Sequence, residues 1–240
     1  MTENLSDNPR FSRTIRVIGE DGLSVLRDSN IIVFGLGGVG GHAAESLARA
    51  GIGRLTILDR DVVEESNMNR QLCATLDTIG MPKSEALKAR LAQAAPDCEV
   101  TSIDKFYLPE NADEINLSDY DYIVDCIDNV TAKLELIERA TKCGVPIICC
   151  MGTGNKLNPC DLTVTDIYKT SGCPLAKVVR SECRKRGIGK LKVVYSTETP
   201  VSTGERTPGS VSFVPGVAGM IMASVVVKDL IAASVKEQSE

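Results

Sequence analysis

Apolar positions in this chain fall into short, dense runs separated by longer amphipathic stretches. Asn30-Ile-Ile-Val-Phe34 is one such run, ending in glycines, the pattern of a strand buried on both faces. A helix follows over about Val39–Ala50, then a strand at Leu55–Leu58. Lys83–Ala94 has helical composition and stops before Pro96, while Val100–Ile103 and Tyr122–Asp125 read as a third and a fourth strand. Ala132–Lys142 is helical with Gly144 at its end, and Pro146–Cys150 is a fifth strand. Strands alternating with helices predict an α/β fold of Rossmann-like, doubly wound type: a mostly parallel sheet with helices on both faces. Past Met151 the rhythm changes to a strand at Leu162–Ile167, a basic helix near Leu175–Lys185, a strand at Leu191–Tyr195 and a last helix at about Val217–Ala233. These are additional C-terminal strands and helices on the same core, and no repeat or low-complexity linker intervenes. One domain over 1–240 is expected, with halves meeting near residue 150.

Thr207–Val227 contains no charge and is nominally long enough to cross a membrane. Pro208, Gly209, Pro215, Gly216 and Gly219 interrupt it, so its apolar part, Val217–Val227, is expected as a buried helix and not a membrane span.

Composition narrows the chemistry. A single histidine, His42, excludes a centre built on two imidazoles, and nine aromatics with no tryptophan are too few for a base-stacking platform. The nine cysteines are odd in number and never three apart, so no CxxC pair for structural zinc exists. The polar opening MTENLSDNPRFSR lacks a signal-peptide core, so reduced thiols and a cytoplasmic location are expected.

Gly35-Leu36-Gly37-Gly38-Val39-Gly40 stands between the first strand and the first helix. Glycine permits the tight turn there, and without a Cβ the backbone can approach a phosphate at the helix N-terminus. Asp59 ends the second strand 24 residues after Gly35, where a carboxylate can accept from ribose hydroxyls. This motif alone does not choose among NAD, FAD, SAM and ATP. Three further groups would be idle in a hydride-transfer enzyme. Ser66-Asn67-Met68-Asn69-Arg70-Gln71 offers a guanidinium and amides, Lys83 opens the next helix, and Asp125-Cys126-Ile127-Asp128-Asn129 ends the fourth strand. Arg70 and Lys83 can hold a triphosphate and stabilise a leaving phosphate, and Asp128 can hold Mg²⁺.

With these residues in this order, the chain resembles the E1-like (ThiF/MoeB/HesA) superfamily of carboxylate-adenylating enzymes, which activate ubiquitin and the sulfur carriers of thiamine and molybdopterin synthesis. The resemblance implies an E1-like adenylation fold binding ATP and Mg²⁺. The nucleotide would meet Gly35, Gly37, Gly38, Gly40, Asp59, Asn67, Arg70, Gln71, Lys83, Asp128 and Asn129. It implies ribose binding by Asp59, phosphate binding by Arg70 and Lys83, and Mg²⁺ at Asp128. Arg10-Phe11-Ser12-Arg13 is similar to an early family motif whose second arginine reaches the phosphates of the other subunit. Arg13 is therefore expected to act in trans in a homodimer.

The second half points to one branch. Lys169–Arg180, Glu182–Gly187, Val194–Glu198 and Gly209–Pro215 resemble the tRNA threonylcarbamoyladenosine dehydratases, a likeness that covers nearly the whole chain. It implies ATP-dependent activation of the threonyl carboxylate of N6-threonylcarbamoyladenosine in tRNA, followed by intramolecular ring closure. Residues 1–150 would then bind the nucleotide, and 151–240 the substrate and the second subunit. Net charge agrees once divided. Lys177, Arg180, Arg184, Lys185, Arg186, Lys190 and Lys192 face one acid, Glu182, a local +6 against −11 for the remainder. Such a patch fits docking of the tRNA backbone. The alternative is an E1-like enzyme that adenylates the C-terminus of a ubiquitin-like sulfur-carrier protein. A thiol relay would place a cysteine at Cys160 or Cys173, and Cys173 stands where this branch has aspartate. Cys126, Cys149 and Cys150 read as small buried hydrophobes. A monovalent cation near the second-half loops and a sulfur-relay partner are left open.

Overall fold

Seven strands make one sheet: β1 Asn30–Phe34, β2 Arg54–Leu58, β3 Glu99–Ile103, β4 Tyr122–Asp125, β5 Ile147–Cys150, β6 Leu162–Asp166 and β7 Lys192–Ser196. The computed structural model describes residues 8–205 and 207–237 of the chain. Strand order is β3-β2-β1-β4-β5-β7-β6, with every pair parallel except β6–β7. All seven lie within a residue or two of their expected positions. The helices are α1 Ser12–Asp28, α2 Gly40–Ala50, α3 Lys83–Ala94, α4 Val130–Cys143, α5 Pro174–Lys185 and α6 Phe213–Glu237.

β1 is buried on both sides because helices cover both faces. Ile31 and Val33 join the core formed with α2, α3 and α6, while Ile32 and Phe34 join the one formed with α4. A third cluster, centred on Cys149, Val179, Cys183 and Val193, seats α5. The sheet therefore runs unbroken from one half of the chain into the other.

α6 begins four residues before its expected start and runs through Pro215, which the first helical turn tolerates because its N–H would be unpaired there. Its buried positions Val214, Ala218, Met222 and Val226 recur every four residues. The approach to α2 is close: a Cβ on Gly219 would lie 2.3 Å from the Val39 carbonyl oxygen. Phe213–Val235 is long and apolar enough to cross a membrane by length and composition. Here it lies along α2 and the sheet, and Asp229 ties it down by accepting from Tyr122 Oη (2.6 Å) and pairing with Lys192.

α1 was not expected from the sequence. Its apolar positions Ile15, Ile18, Leu23 and Leu26 are diluted by six charges, and Gly19 (φ +76°) breaks it into two short pieces. Neither piece is long enough to display a helical period.

Candidate active site

The chain leaves β1 toward β2 on one side and β4 lies on the other, so the connections diverge and open a crevice at the carboxyl ends of the strands. That crevice is a cleft of about 870 Å³.

The glycine turn forms its floor. Gly35 has φ +81°, and a Cβ there would sit 2.8 Å from the Cys126 carbonyl oxygen. Gly37 and Gly38 line the cleft. Gly40 is not among the residues lining it: its Cβ would lie 1.7 Å from the Gly35 carbonyl oxygen, so this glycine closes the turn.

Asp59 reaches back to the turn. Its Oδ2 accepts from Leu36 N (2.6 Å) and its Oδ1 from Asp61 N (2.8 Å). Burial nonetheless pushes its carboxyl above the ordinary range, against the pull of those two N–H groups and of Lys83.

The Ser66–Gln71 segment is a short capped turn. Asn67 is buried with its Oδ1 accepting from Glu64 N (3.2 Å), so it shapes the loop from within. Arg70 is held by the Ser66 carbonyl (3.1 Å) and Asn69 Oδ1 (2.8 Å), and Asn69 donates to the Ser210 carbonyl (3.0 Å). Gln71 is buried and its Oε1 has no hydrogen-bond partner among the described residues.

Lys83 is buried against Asp61, Nζ to Oδ2 2.8 Å. On β4 the two aspartates of the D-x-x-D-N motif divide. Asp125 is fully buried, paired with Lys133 Nζ at 2.7 Å and accepting from Ile127 N at 3.0 Å. Asp128 is exposed, lines the cleft and carries no ion pair or hydrogen bond among the described residues. Asn129, and not Asp128, caps α4 by accepting from Ala132 N (3.0 Å).

The cleft thus gathers Gly35, Gly37, Gly38, Asp59, Asn67, Arg70, Gln71, Lys83, Asp128 and Asn129. It also holds residues not singled out from sequence. Asp61 stands two residues after Asp59, the one local signal that could have found it. Lys105–Leu108 and Thr153 come from distant loops and carry no local signal, while Ser210 and Pro215, in a loop and in the first turn of α6, belong to the Gly209–Pro215 segment. Cys126 is half-buried and lines the cleft, unlike the fully interior Cys149 and Cys150 with which it was grouped.

Arg13 is exposed on α1 and does not line the cleft of its own chain. His42 packs on Gly216 of α6, and burial lowers its pKa. Cys173 is buried at the N-cap of α5, its Sγ accepting from Ala176 N (3.5 Å), a cap an aspartate would also supply. Neither it nor the exposed Cys160 lines the cleft.

The basic segment is less positive than its composition. Lys185 pairs with Glu182 (2.6 Å), Arg186 with Glu138 of α4 (2.6 Å), and Lys192 with Asp229 of α6. Arg180 donates to the Thr170 carbonyl (2.8 Å) and hydroxyl (2.6 Å). Lys177, Arg184 and Lys190 are exposed without an ion pair among the described residues, and Arg184 lies 5.4 Å above the Tyr168 ring.

The model of the ThiF family matches residues 11–239. The chain belongs to the ThiF family. The tRNA threonylcarbamoyladenosine dehydratase of Bacillus subtilis (strain 168) is 40% identical over 240 residues, spanning 92% of this chain and 94% of the relative. That of Escherichia coli (strain K12) is 40% identical over 200 residues, 80% and 75% of the two chains. The crystal structure of the E. coli enzyme, TcdA, in complex with AMP superimposes with TM-score 0.90 at 35% identity, covering 95% of this chain and 96% of that one. Its complex with ATP gives 0.87. This ThiF-family chain also shares its fold with E. coli MccB (TM-score 0.69 for the ATP-bound form, 20% identity).

Proposed function

We propose that this chain is an ATP-dependent tRNA threonylcarbamoyladenosine dehydratase. The observation that carries the reading is that one cleft brings Gly37, Gly38, Asp59, Arg70, Lys83 and Asp128 together, in a chain 40% identical to dehydratases of that name. ATP lies with its phosphates over the glycine turn at the N-terminus of α2 and its ribose at Asp59. Arg70 and Lys83 hold the phosphates and stabilise the charge that develops on the leaving group. Asp128, a hard carboxylate without a partner among the described residues, fits Mg²⁺, which would shield phosphate charge when bound. The threonyl carboxylate attacks phosphorus of ATP, at the α position expelling pyrophosphate or at the γ position expelling ADP, so one of its oxygens becomes part of a good leaving group. A nitrogen of the same substituent then attacks the activated carbonyl, and that oxygen departs on phosphate or AMP. Because both partners belong to one nucleoside, ring closure needs no acceptor protein and little further ordering.

The chain is read as one domain over 1–240, with residues 151–240 contributing the substrate and dimer surfaces. The tRNA backbone docks on the α5–β7 segment, where Lys177, Arg184 and Lys190 are available and Arg180, Lys185, Arg186 and Lys192 are held by neighbours. A homodimer supplies Arg13 to the partner's cleft, and the enzyme works in the cytoplasm. Incubation of the protein with ATP, Mg²⁺ and tRNA bearing threonylcarbamoyladenosine, followed by mass spectrometry of the nucleosides, tests the reaction. Loss of one water from the modified nucleoside is the expected result. No loss, together with pyrophosphate exchange driven by a small protein ending in Gly-Gly, would establish the sulfur-carrier alternative.

A further inference from the structure

Lys83, the lysine expected at the phosphates, is itself held by an acid. Its side chain is 8% exposed, and its ammonium has one protein partner among the described residues, Asp61 Oδ2 at 2.8 Å. The two residues are clipped together by main chain as well. Lys83 N donates to Asp61 O (2.9 Å), Val63 N to Met81 O (2.8 Å) and Gly80 N to Val63 O (2.8 Å), around an antiparallel bridge between Val62 and Pro82. Asp61 N in turn donates to Asp59 Oδ1 (2.8 Å). Asp61 thus joins the acid assigned to ribose and the lysine assigned to phosphate, its carboxylate 56% exposed and the lysine side chain 8% exposed, both at the wall of the cleft.

An enclosed ammonium needs a counter-charge or hydrogen-bond acceptors, because burying an unpaired charge is costly. A carboxylate beside a polyphosphate is, by itself, repulsive. Both facts make sense of Asp61 if its value lies in what it does to Lys83. We propose that Asp61 is the positioning residue of Lys83: it fixes the enclosed ammonium at the cleft wall, leaving two of its three N–H donors for nucleotide phosphate. This rests on the ATP-dependent reading above.

A double-mutant cycle tests it, using Asp61→Asn, Lys83→Met and the two combined in the full-length enzyme. KM for ATP and kcat are read separately during turnover of threonylcarbamoyladenosine tRNA. Asp61→Asn is expected to lower kcat/KM for ATP roughly tenfold to hundredfold, the worth of a charge-assisted hydrogen bond. Asp61→Glu, which keeps the charge, should recover most of that loss. In the Lys83→Met background Asp61→Asn should change kcat/KM by less than about twofold, since residues acting as a unit are not additive. Equal losses in both backgrounds would overturn the proposal, because Asp61 would then act on the nucleotide by itself. So would an unchanged kcat/KM in Asp61→Asn beside a large loss in Lys83→Met. Thermal unfolding of Asp61→Asn and Asp61→Glu close to that of the unaltered chain separates these outcomes from misfolding. Absence of turnover by the unaltered chain would overturn the functional reading, and this inference with it.

Discussion

The cleft and the α5–β7 segment were both conspicuous as charge in the sequence, and the fold treats them in opposite ways. In the cleft, charges that stand apart in sequence are brought to one edge and sorted. Asp125 is sealed inside with Lys133, Lys83 is buried against Asp61, and Asp128 is left exposed without a protein partner among the described residues. In α5–β7, seven basic residues that stand together in sequence are partly taken out of use by acids from elsewhere, Glu138 of α4 and Asp229 of α6 among them. Charge density along a chain therefore overstates an electrostatic surface. A motif at strand ends understates how firmly its members are held, because the holding groups come from other elements.

Lys133→Met should produce the largest effect. It strands Asp125 in a site where both side chains have zero exposure, and loss of one member of a buried pair costs about 3–5 kcal/mol. Asp125→Asn added to Lys133→Met should regain much of this, since the amide oxygen can still accept from Ile127 N. Chemical denaturation of the three variants measures it. If Lys133→Met unfolds like the unaltered chain, the pair is not the rigid element the geometry indicates. Asp128→Ala, three residues away in the same motif, should leave the unfolding midpoint in place and reduce turnover about a hundredfold to a thousandfold. That split between stability and rate is what distinguishes a sealed acid from an open one, and the tRNA nucleoside mass assay reads it.

The α5–β7 segment offers a paired contrast of smaller size. Lys177→Ala/Lys190→Ala removes two exposed cations without an ion pair among the described residues, and Lys185→Ala/Arg186→Ala removes two with acidic partners. Net charge changes equally. The first variant should reduce the dependence of log Kd for tRNA on log salt by about two, and the second by less than about one. Equal slopes for the two variants would show that the ion pairs open freely on contact with RNA and that the composition was the better guide.

The sheet was legible from sequence because each strand of a doubly wound fold is a local, two-sided apolar run, and the structure moves no strand by more than a residue or two. Arg70, Lys83, Asp59 and Asp128 were legible for a related reason. They follow strand ends, and the topology sends those ends to one edge. What escaped was anything defined across space. α1 hid because Gly19 divides it and charges dilute its apolar face. Gly40 was grouped with the ligand-facing glycines because spacing does not distinguish contact with a phosphate from contact with the Gly35 carbonyl. Thr153 and Ser210 reach the cleft from the second half, and no spacing rule connects them to the glycine turn.

The finest contrast lies within the cleft, at Asp59. Burial raises its pKa above the ordinary carboxylate value of 3.8. Between the unfolded and the raised folded pKa, the folded chain therefore keeps a proton there that the unfolded chain has already released. Folding stability contributed by this group is fully present below the unfolded pKa, and it is lost as pH rises through the folded one. Nucleotide binding runs the other way, since only the ionised carboxylate accepts from both ribose hydroxyls. ATP affinity should be flat near neutrality. It should weaken by up to about tenfold per pH unit below the raised pKa, at a pH higher than an exposed aspartate would show. Asp59→Asn removes both trends and leaves one of the two N–H donors, of Leu36 or Asp61, without its oxygen. Denaturation and binding of a fluorescent ATP analogue across the acidic range measure the two slopes. Slopes of the same sign would mean that Asp59 serves the glycine turn and not the ribose.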